Sequence, residues 1–330
     1  MSRALAWTIG GVVAIAVPLV FPREEYLRSE LFLILLYGAM ATGWNILGGF
    51  TGQVSFGHAA FLGIGAYTTT ILTDAGWSVW ATLPVAGALA AIFSLVIGPP
   101  AFRLRGPYFA IATIGIGEAT RLIVLNWSAL AGGSNLTGGA SGLTLTGAPS
   151  PLAQYYAALA LCAAAIAIAA WIKRSRFGYA LAAVRADSDA AETLGVNTTI
   201  AKTQALLISA FILGTAGSVY AMHNLFISPD SVFGFSTSIS FVIMPIIGGI
   251  GTIAGPLLGA AIFTGLREQL ETNPILAPYN LDLGVFGALL CAIVLFEPRG
   301  LLGIADRLSA FVRRSLTVAR PPKTAGGDGE

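Results

Sequence analysis

The sequence specifies an all-α polytopic integral membrane protein, with about eight to ten transmembrane helices at roughly 20 apolar residues per crossing. Glycine-broken segments fall in both halves, and a cytoplasmic helix lies between them. Three observations support this class. Of 330 residues, 55% are hydrophobic and only 10% charged, where a soluble domain carries about a quarter charged residues. The mean hydropathy is +0.78. Long apolar runs recur along nearly the whole chain. A soluble enzyme, a secreted disulfide scaffold and a disordered chain are excluded on these grounds.

The runs give spans near 4–21, 31–49, 54–72, 79–101, 108–127, 152–172, 203–227, 236–249, 254–270 and 281–297. The run 4–21 reads as a retained first helix, because no A-x-A-like cleavage site precedes Phe21-Pro22. The short, glycine-interrupted runs 236–249 and 254–270 read as a broken helix pair dipping into the membrane.

The net charge of +2 is uninformative, but its distribution is not. With ten crossings and the N-terminus inside, 14 of the 18 basic residues fall on the inner side. They include Arg103 and Arg105, five in the loop 173–202 and six near the C-terminus. Such asymmetry predicts that both termini are cytoplasmic. Residues 1–318 thus form a single membrane domain, and the polar tail 319–330 reads as disordered. The connector 128–151 has six glycines and no charge, and reads as a flexible linker in preference to a re-entrant loop. Cys162 and Cys291 lie in separate apolar runs and read as core residues without disulfide or metal spacing.

Residues 48–66 read GGFTGQVSFGHAAFLGIGA, and 200 residues later 248–260 read GGIGTIAGPLLGA. Paired interrupted segments in two halves point to a solute pathway, since broken backbone at membrane depth needs protein or a water-lined cavity around it. Gly251, Gly255 and Gly259 repeat every four residues and read first as a helix-packing face. Gln53, Ser55 and His58 are polar at membrane depth and divide evenly between structural caps and pathway lining. Glu118 and Arg121, three apart, read as a self-neutralising pair.

The loop 173–202 is organised. Ala186 to Leu194 has helix-forming composition, stopped by Gly195. The mixed charge of Arg185, Asp187, Asp189 and Glu192 favours a protein groove over anionic lipid. Asp189-Ala190-Ala191, three residues and Gly195 have the spacing of the E-A-A-x-x-x-G signature of ABC importer permeases, with Asp in place of Glu.

Further blocks are more specific. GQVSFGHAAFLGIGAY (52–67), RLRGPYFAIATIGIGE (103–118), TGGASGL (137–143), SRFGYALAAVRADSDAAETLGVN (175–197), IGGIGTIAGPLLGA (247–260) and FEPRGLLG (296–303) resemble the Liv-type branched-chain amino acid permeases. The resemblance is nearer the M-type subunit than the H-type and runs from residue 31 to about 303. It implies a non-enzymatic pore subunit of an ATP-driven importer in the bacterial inner membrane. Two ATPase subunits, a second H-type permease and a periplasmic binding protein would be its partners, with no cofactor or metal. Arg185, Asp189, Ala190, Ala191, Glu192 and Gly195 would meet the ATPase through a coupling helix near 183–195. Tyr108 and Glu118 would join Gln53, Ser55 and His58 along the pathway. The chain has no GxxxxGK[ST] phosphate loop, so ATP chemistry is expected of partners.

A urea or short-chain amide importer permease is the alternative within the family. A stand-alone secondary transporter fits the spans but leaves the 183–195 loop unexplained. A membrane enzyme would need a polar catalytic cluster, whereas His58 and His223 lie far apart in sequence. Nucleic-acid binding has no support, because the basic residues follow membrane sidedness.

Overall fold

The computed structural model describes residues 24–127 and 136–272, with isolated helical positions among 14–18 and 284–303. The expected spans 4–21 and 281–297 and the tail 319–330 lie, those positions apart, outside the described residues. The helices are α1 (Glu25–Thr51), α2 (His58–Asp74), α3 (Val79–Ala101), α4 (Pro107–Leu125) and α5 (Pro151–Arg174). They continue as α6 (Arg176–Ala186), α7 (Ser188–Thr193), α8 (Thr198–Asn224), α9 (Pro229–Phe233), α10 (Phe235–Gly248) and α11 (Gly255–Thr272). Among the described residues, six helical stretches are long and apolar enough to cross a membrane: α1, α3, α4, α5, α8 and the α9–α10 stretch Pro229–Gly248.

Local chemistry fixes where these helices begin. Pro107, Pro151 and Pro229 open α4, α5 and α9, where the missing proline N–H is not needed. Ser175 caps α6 through the Gly178 N–H (3.2 Å), and Asn197 caps α8 through the Ile200 N–H (2.9 Å). The α1 helix stops at Gly52, whose φ of 77° is the left-handed conformation open to glycine.

Two ends of the bundle can be told apart. The turn 102–106, helices α6 and α7 and the break between α10 and α11 share one end, where Arg105 pairs with Asp189 at 2.9 Å and Lys173 donates to the Gly251 carbonyl at 3.1 Å. Loops 75–78, 136–150 and 225–234 share the other, joined by the antiparallel strands β1 (Leu143–Thr144) and β2 (Phe226–Ile227). The described part of the 128–151 connector is therefore anchored, contrary to the flexible reading. Its Thr137 hydroxyl also donates to the Val124 carbonyl at 2.9 Å. The strand pairing needs partners 82 and 84 residues downstream, Phe226 for Thr144 and Ile227 for Leu143, which glycine content could not reveal.

The central elements are α1 and α8, whose side chains are mostly buried, whereas α4 is mostly exposed. Helices α2 and α8 approach with backbone nearly in contact: a Cβ at Gly65 would strike the Gly214 carbonyl oxygen, and one at Gly217 the Leu62 carbonyl oxygen. Small residues permit such contact where lipid supplies no hydrophobic drive to association.

The pair 236–249 and 254–270 is a hairpin of α10 and α11 that turns at 249–254, and α9 and α10 together form the apolar stretch Pro229–Gly248. Gly251 lies outside α11, in the break, at φ 76°. The helix-face triplet is thereby reduced to Gly255 and Gly259, which pack against Gly248, Gly249 and Met244 at the close of α10.

Gly65→Val and Gly217→Val are each expected to destabilise the protein by about 1–3 kcal/mol through overpacking. Gly265→Ala, with open space around its Cβ position, should leave stability unchanged or raise it by up to about 1 kcal/mol. Thermal unfolding in detergent measures both effects.

Candidate functional site

The expected span 54–72 is helical only from His58. Residues 52–57 run as extended chain back into the bundle, and their polar groups are met by side chains from other helices. Trp44, about 10 Å from the end of α1 at 1.5 Å per residue, donates its indole N–H to the Ser55 carbonyl at 2.8 Å. The Phe56 N–H donates to the Thr113 hydroxyl of α4 at 3.0 Å. At the start of α2 the Ala59 N–H donates to the Ser238 hydroxyl of α10 at 3.1 Å. Each N–H left unpaired in a bilayer would cost several kcal/mol, so these side chains are what allow the helix to be broken there.

His58 is fully buried, with Nδ1 3.0 Å from the Ser55 hydroxyl and Nε2 2.9 Å from the Ser209 hydroxyl of α8. Ser209 lies about 16 Å along α8 from the α6–α7 end at helical rise. Phe61 meets the imidazole edge-on, with centroids 5.5 Å apart. The imidazole thus links the extended segment to the central helix. The space beside Ser55 and Gly57, walled by Phe61, Phe109 and Thr113, amounts to only about 10 Å³, room for one water at most. In this conformation the break is closed to any solute. Gln53 is half-buried nearer the α6–α7 end.

Tyr108 and Glu118 sit apart from this cluster, on the exposed side of α4. Tyr108 is 71% exposed. Glu118 accepts two bonds from Arg121, at 2.9 and 2.6 Å, and Arg121 also reaches the Asp230 carboxylate of α9. The expected Glu118–Arg121 pair is thus part of a three-residue network. Along α4, Tyr108, Ile111, Gly115, Glu118 and Leu122 are all exposed, at the spacing of one helix face.

The second break, 249–254, is held by a residue the sequence reading did not single out. Asn45 of α1 is fully buried. Its amide donates to the Thr252 carbonyl at 2.9 Å, while its side-chain oxygen accepts from the Gly251 N–H at 2.8 Å. Gly49 must lack a Cβ here, because one would overlap the Asn45 oxygen. The two Gly-Gly segments 200 residues apart in sequence therefore meet in space. An asparagine inside the apolar run of α1 was the available signal.

The expected single helix 183–195 is two helices. Asp187 breaks the run because its carboxylate accepts from the Asp189 and Ala190 N–H groups, at 2.9 and 3.0 Å, and so caps α7. Arg185, in the last turn of α6, donates to the Gly49 carbonyl. Asp189 holds Arg105 through two bonds of 2.9 Å. Glu192 accepts from the Thr198 hydroxyl. Ala191 is buried, Ala190 is exposed, and Gly195 ends the turn at φ 87° with open space about it. Tyr179 and Leu194, 73% and 83% exposed, leave an apolar surface on these helices. His223 stacks on Phe32 at 4.2 Å, far from any of this.

The sequence profile of the family described as branched-chain amino acid transport system / permease component matches residues 26–294. The chain belongs to this permease family. It is 30% identical over 318 residues to the high-affinity branched-chain amino acid transport system permease protein LivM of Salmonella typhimurium, covering 88% of this chain and 73% of that one. Identity to LivM of Escherichia coli is also 30%, with the same coverage. The high-affinity branched-chain amino acid transport system permease protein LivH of Escherichia coli is 27% identical over 287 residues, covering 81% of this chain and 91% of its own. No solved structure matches the chain significantly. The permease is thus a multi-pass membrane protein, and its M-type resemblance is the stronger one.

Ser238→Ala and Thr113→Val each remove the acceptor of a buried backbone N–H and should cost the permease about 1–3 kcal/mol. Asn45→Leu strands two backbone groups at once and should cost more than either. Ser240→Ala, whose hydroxyl donates only to the Ser236 carbonyl one turn back, should change stability by less than about 0.5 kcal/mol. Detergent melting midpoints of the four variants check this order.

Proposed function

We propose that the protein is the transmembrane permease subunit of an ATP-driven importer of branched-chain amino acids, forming half of its translocation pathway. The observation that carries this reading is the meeting of both helix breaks, 52–57 and 249–254, at the end of the bundle that bears α6 and α7. Arg185 of α6 donates to the Gly49 carbonyl in the last turn of α1, just before the first break, and lies against Gly251 in the second. Lys173, in the last turn of α5, donates to the Gly251 carbonyl. A push on α6 and α7 is thereby delivered to the backbone of both halves. The family membership and the LivM and LivH relatives support the substrate class.

The exposed Tyr179, Ala190 and Leu194 surface suits a groove on each of two ATPase subunits, which supply the ATP hydrolysis. Basic residues concentrate at this same end, including Arg103, Arg105, Arg174, Arg176 and Arg185, which supports a cytoplasmic location for it and for both termini in the bacterial inner membrane. The exposed face of α4 carries Glu118 and Gly115 among apolar residues. A carboxylate on an outward face of a spanning helix is costly against lipid, so this face, with Tyr108, meets the second permease and the pathway. Ser55 and His58 act as the closed brace beside that pathway, and Gln53 lies between brace and coupling helices. A periplasmic binding protein delivers solute at the opposite end.

The complete importer in proteoliposomes should take up leucine only with ATP inside the ATPase compartment, and should not take up urea. Gly195→Trp should keep subunit assembly and ATP hydrolysis while leucine uptake falls to the level seen without ATP. Glu118→Ala should lower uptake at unchanged membrane level. Urea uptake in place of leucine would select the amide importer reading. Uptake by the chain alone, driven by an ion gradient, would overturn the importer.

A further inference from the structure

A larger cavity, of about 270 Å³, opens at the end of the bundle opposite α6 and α7, between α1, α8, α10 and α11. Its deep wall is apolar: Met40, Phe241 and Phe263 are each no more than 2% exposed. Its mouth is polar and carries both signs of charge, with Asp230 and Arg267 on the wall and the Ser240 hydroxyl between them and the floor. Arg267 donates to the Tyr37 hydroxyl at 3.2 Å, and Asp230 accepts from Arg121, itself held by Glu118. Both charges are held in place by neighbours at the mouth of the cavity.

Size and chemistry narrow the occupant. Pockets for drug-sized ligands begin near about 300 Å³, so this one suits a smaller solute. A guanidinium presents a fork of N–H donors that matches a carboxylate, and a carboxylate with hydroxyls matches an ammonium. An apolar floor then calls for an apolar substituent on the same small molecule.

We propose that this cavity is a binding site, inside a single permease subunit, for a free apolar α-amino acid. Its carboxylate faces Arg267, its ammonium faces Asp230, and its side chain rests on Met40, Phe241 and Phe263. The site lies apart from the closed break at 52–57, and touches α4 only through the Asp230–Arg121 pair at its mouth. It would receive solute released at the outer end before the pathway opens. The choice of an amino acid among zwitterions rests on the importer reading above.

The test uses the complete permease–ATPase complex in nanodiscs, without binding protein and without ATP, and radiolabelled leucine at equilibrium. Saturable binding is expected, displaced by valine but not by 4-methylpentanoate, which lacks the ammonium, or by isopentylamine, which lacks the carboxylate. Asp230→Asn and Arg267→Lys should each weaken binding by about tenfold or more. Ser240→Phe should abolish it by filling the cavity, with ATPase co-purification showing that the variant assembles. Unchanged affinity in Asp230→Asn and in assembled Ser240→Phe would overturn the site, as would equal displacement by 4-methylpentanoate. Absence of leucine binding to the unmodified complex would overturn it too. In that event, ATP-driven leucine uptake by the same complex with its binding protein separates the two ideas. Uptake that persists removes the cavity site alone, and uptake that is absent removes the importer reading with it.

Discussion

Every backbone N–H and carbonyl inside a bilayer must find a partner within the protein, and this constraint governs how the permease can depart from regular helix. Among the described residues it does so at 52–57, which runs back into the bundle, and at 249–254, at the bundle's end, and each time polar side chains from other helices take over the missing ladder. Trp44, Thr113 and Ser238 serve the first break, and Asn45 serves the second. The rest of the packing follows from these bonds. Helices α1, α4 and α10 must lie close enough to reach the extended segment, and the small residues at their contacts make that approach possible. His58 completes the arrangement by bridging the segment to α8 through two serine hydroxyls.

The breaks also explain how a motion at one end could reach the middle of the membrane. Regular helices transmit displacement along their axes but resist local change. Packed elements switch between discrete states more readily than they deform. Arg185 donates to the Gly49 carbonyl in the last turn of α1, beside the first break, and Lys173 of α5 donates to the Gly251 carbonyl within the second. Helix α6 is therefore bonded beside the first break and packed against the second. The first break is closed to solute in the conformation seen, with Ser55 and His58 buried beside Trp44 and Phe61.

Much of this was legible in the sequence, for identifiable reasons. Span positions follow from apolar runs, which is why eight expected crossings coincide with helices over 25–272. The two broken segments announced themselves by paired glycines at a fixed offset. What pattern could not supply was partnership. The sequence marks Ser55 and His58 as polar at depth, but only the fold shows that Ser209 and Ser238, more than 150 residues away, answer His58 and Ala59. Asn45 was hidden because a lone amide in an apolar helix carries no motif. Gly251 fitted a four-residue packing repeat equally well as a turn, and its positive φ decided between them. Asp187 looked like one charge in a mixed helix, whereas its capping bonds divide that helix in two. Tyr108 and Glu118 arrived with the same resemblance as His58 but occupy a different surface, a distinction that spacing along the chain does not encode.

The most direct measurement is amide hydrogen exchange over residues 52–59 of the assembled permease in nanodiscs, read by mass spectrometry at single-residue fragmentation. Slow exchange at Phe56, Gly57 and Ala59, comparable to the interior of α8, is expected if the break is sealed by side-chain acceptors. Exchange at those amides as fast as that of the solvent-facing turn at Gly195 would contradict a dry, bonded break at membrane depth.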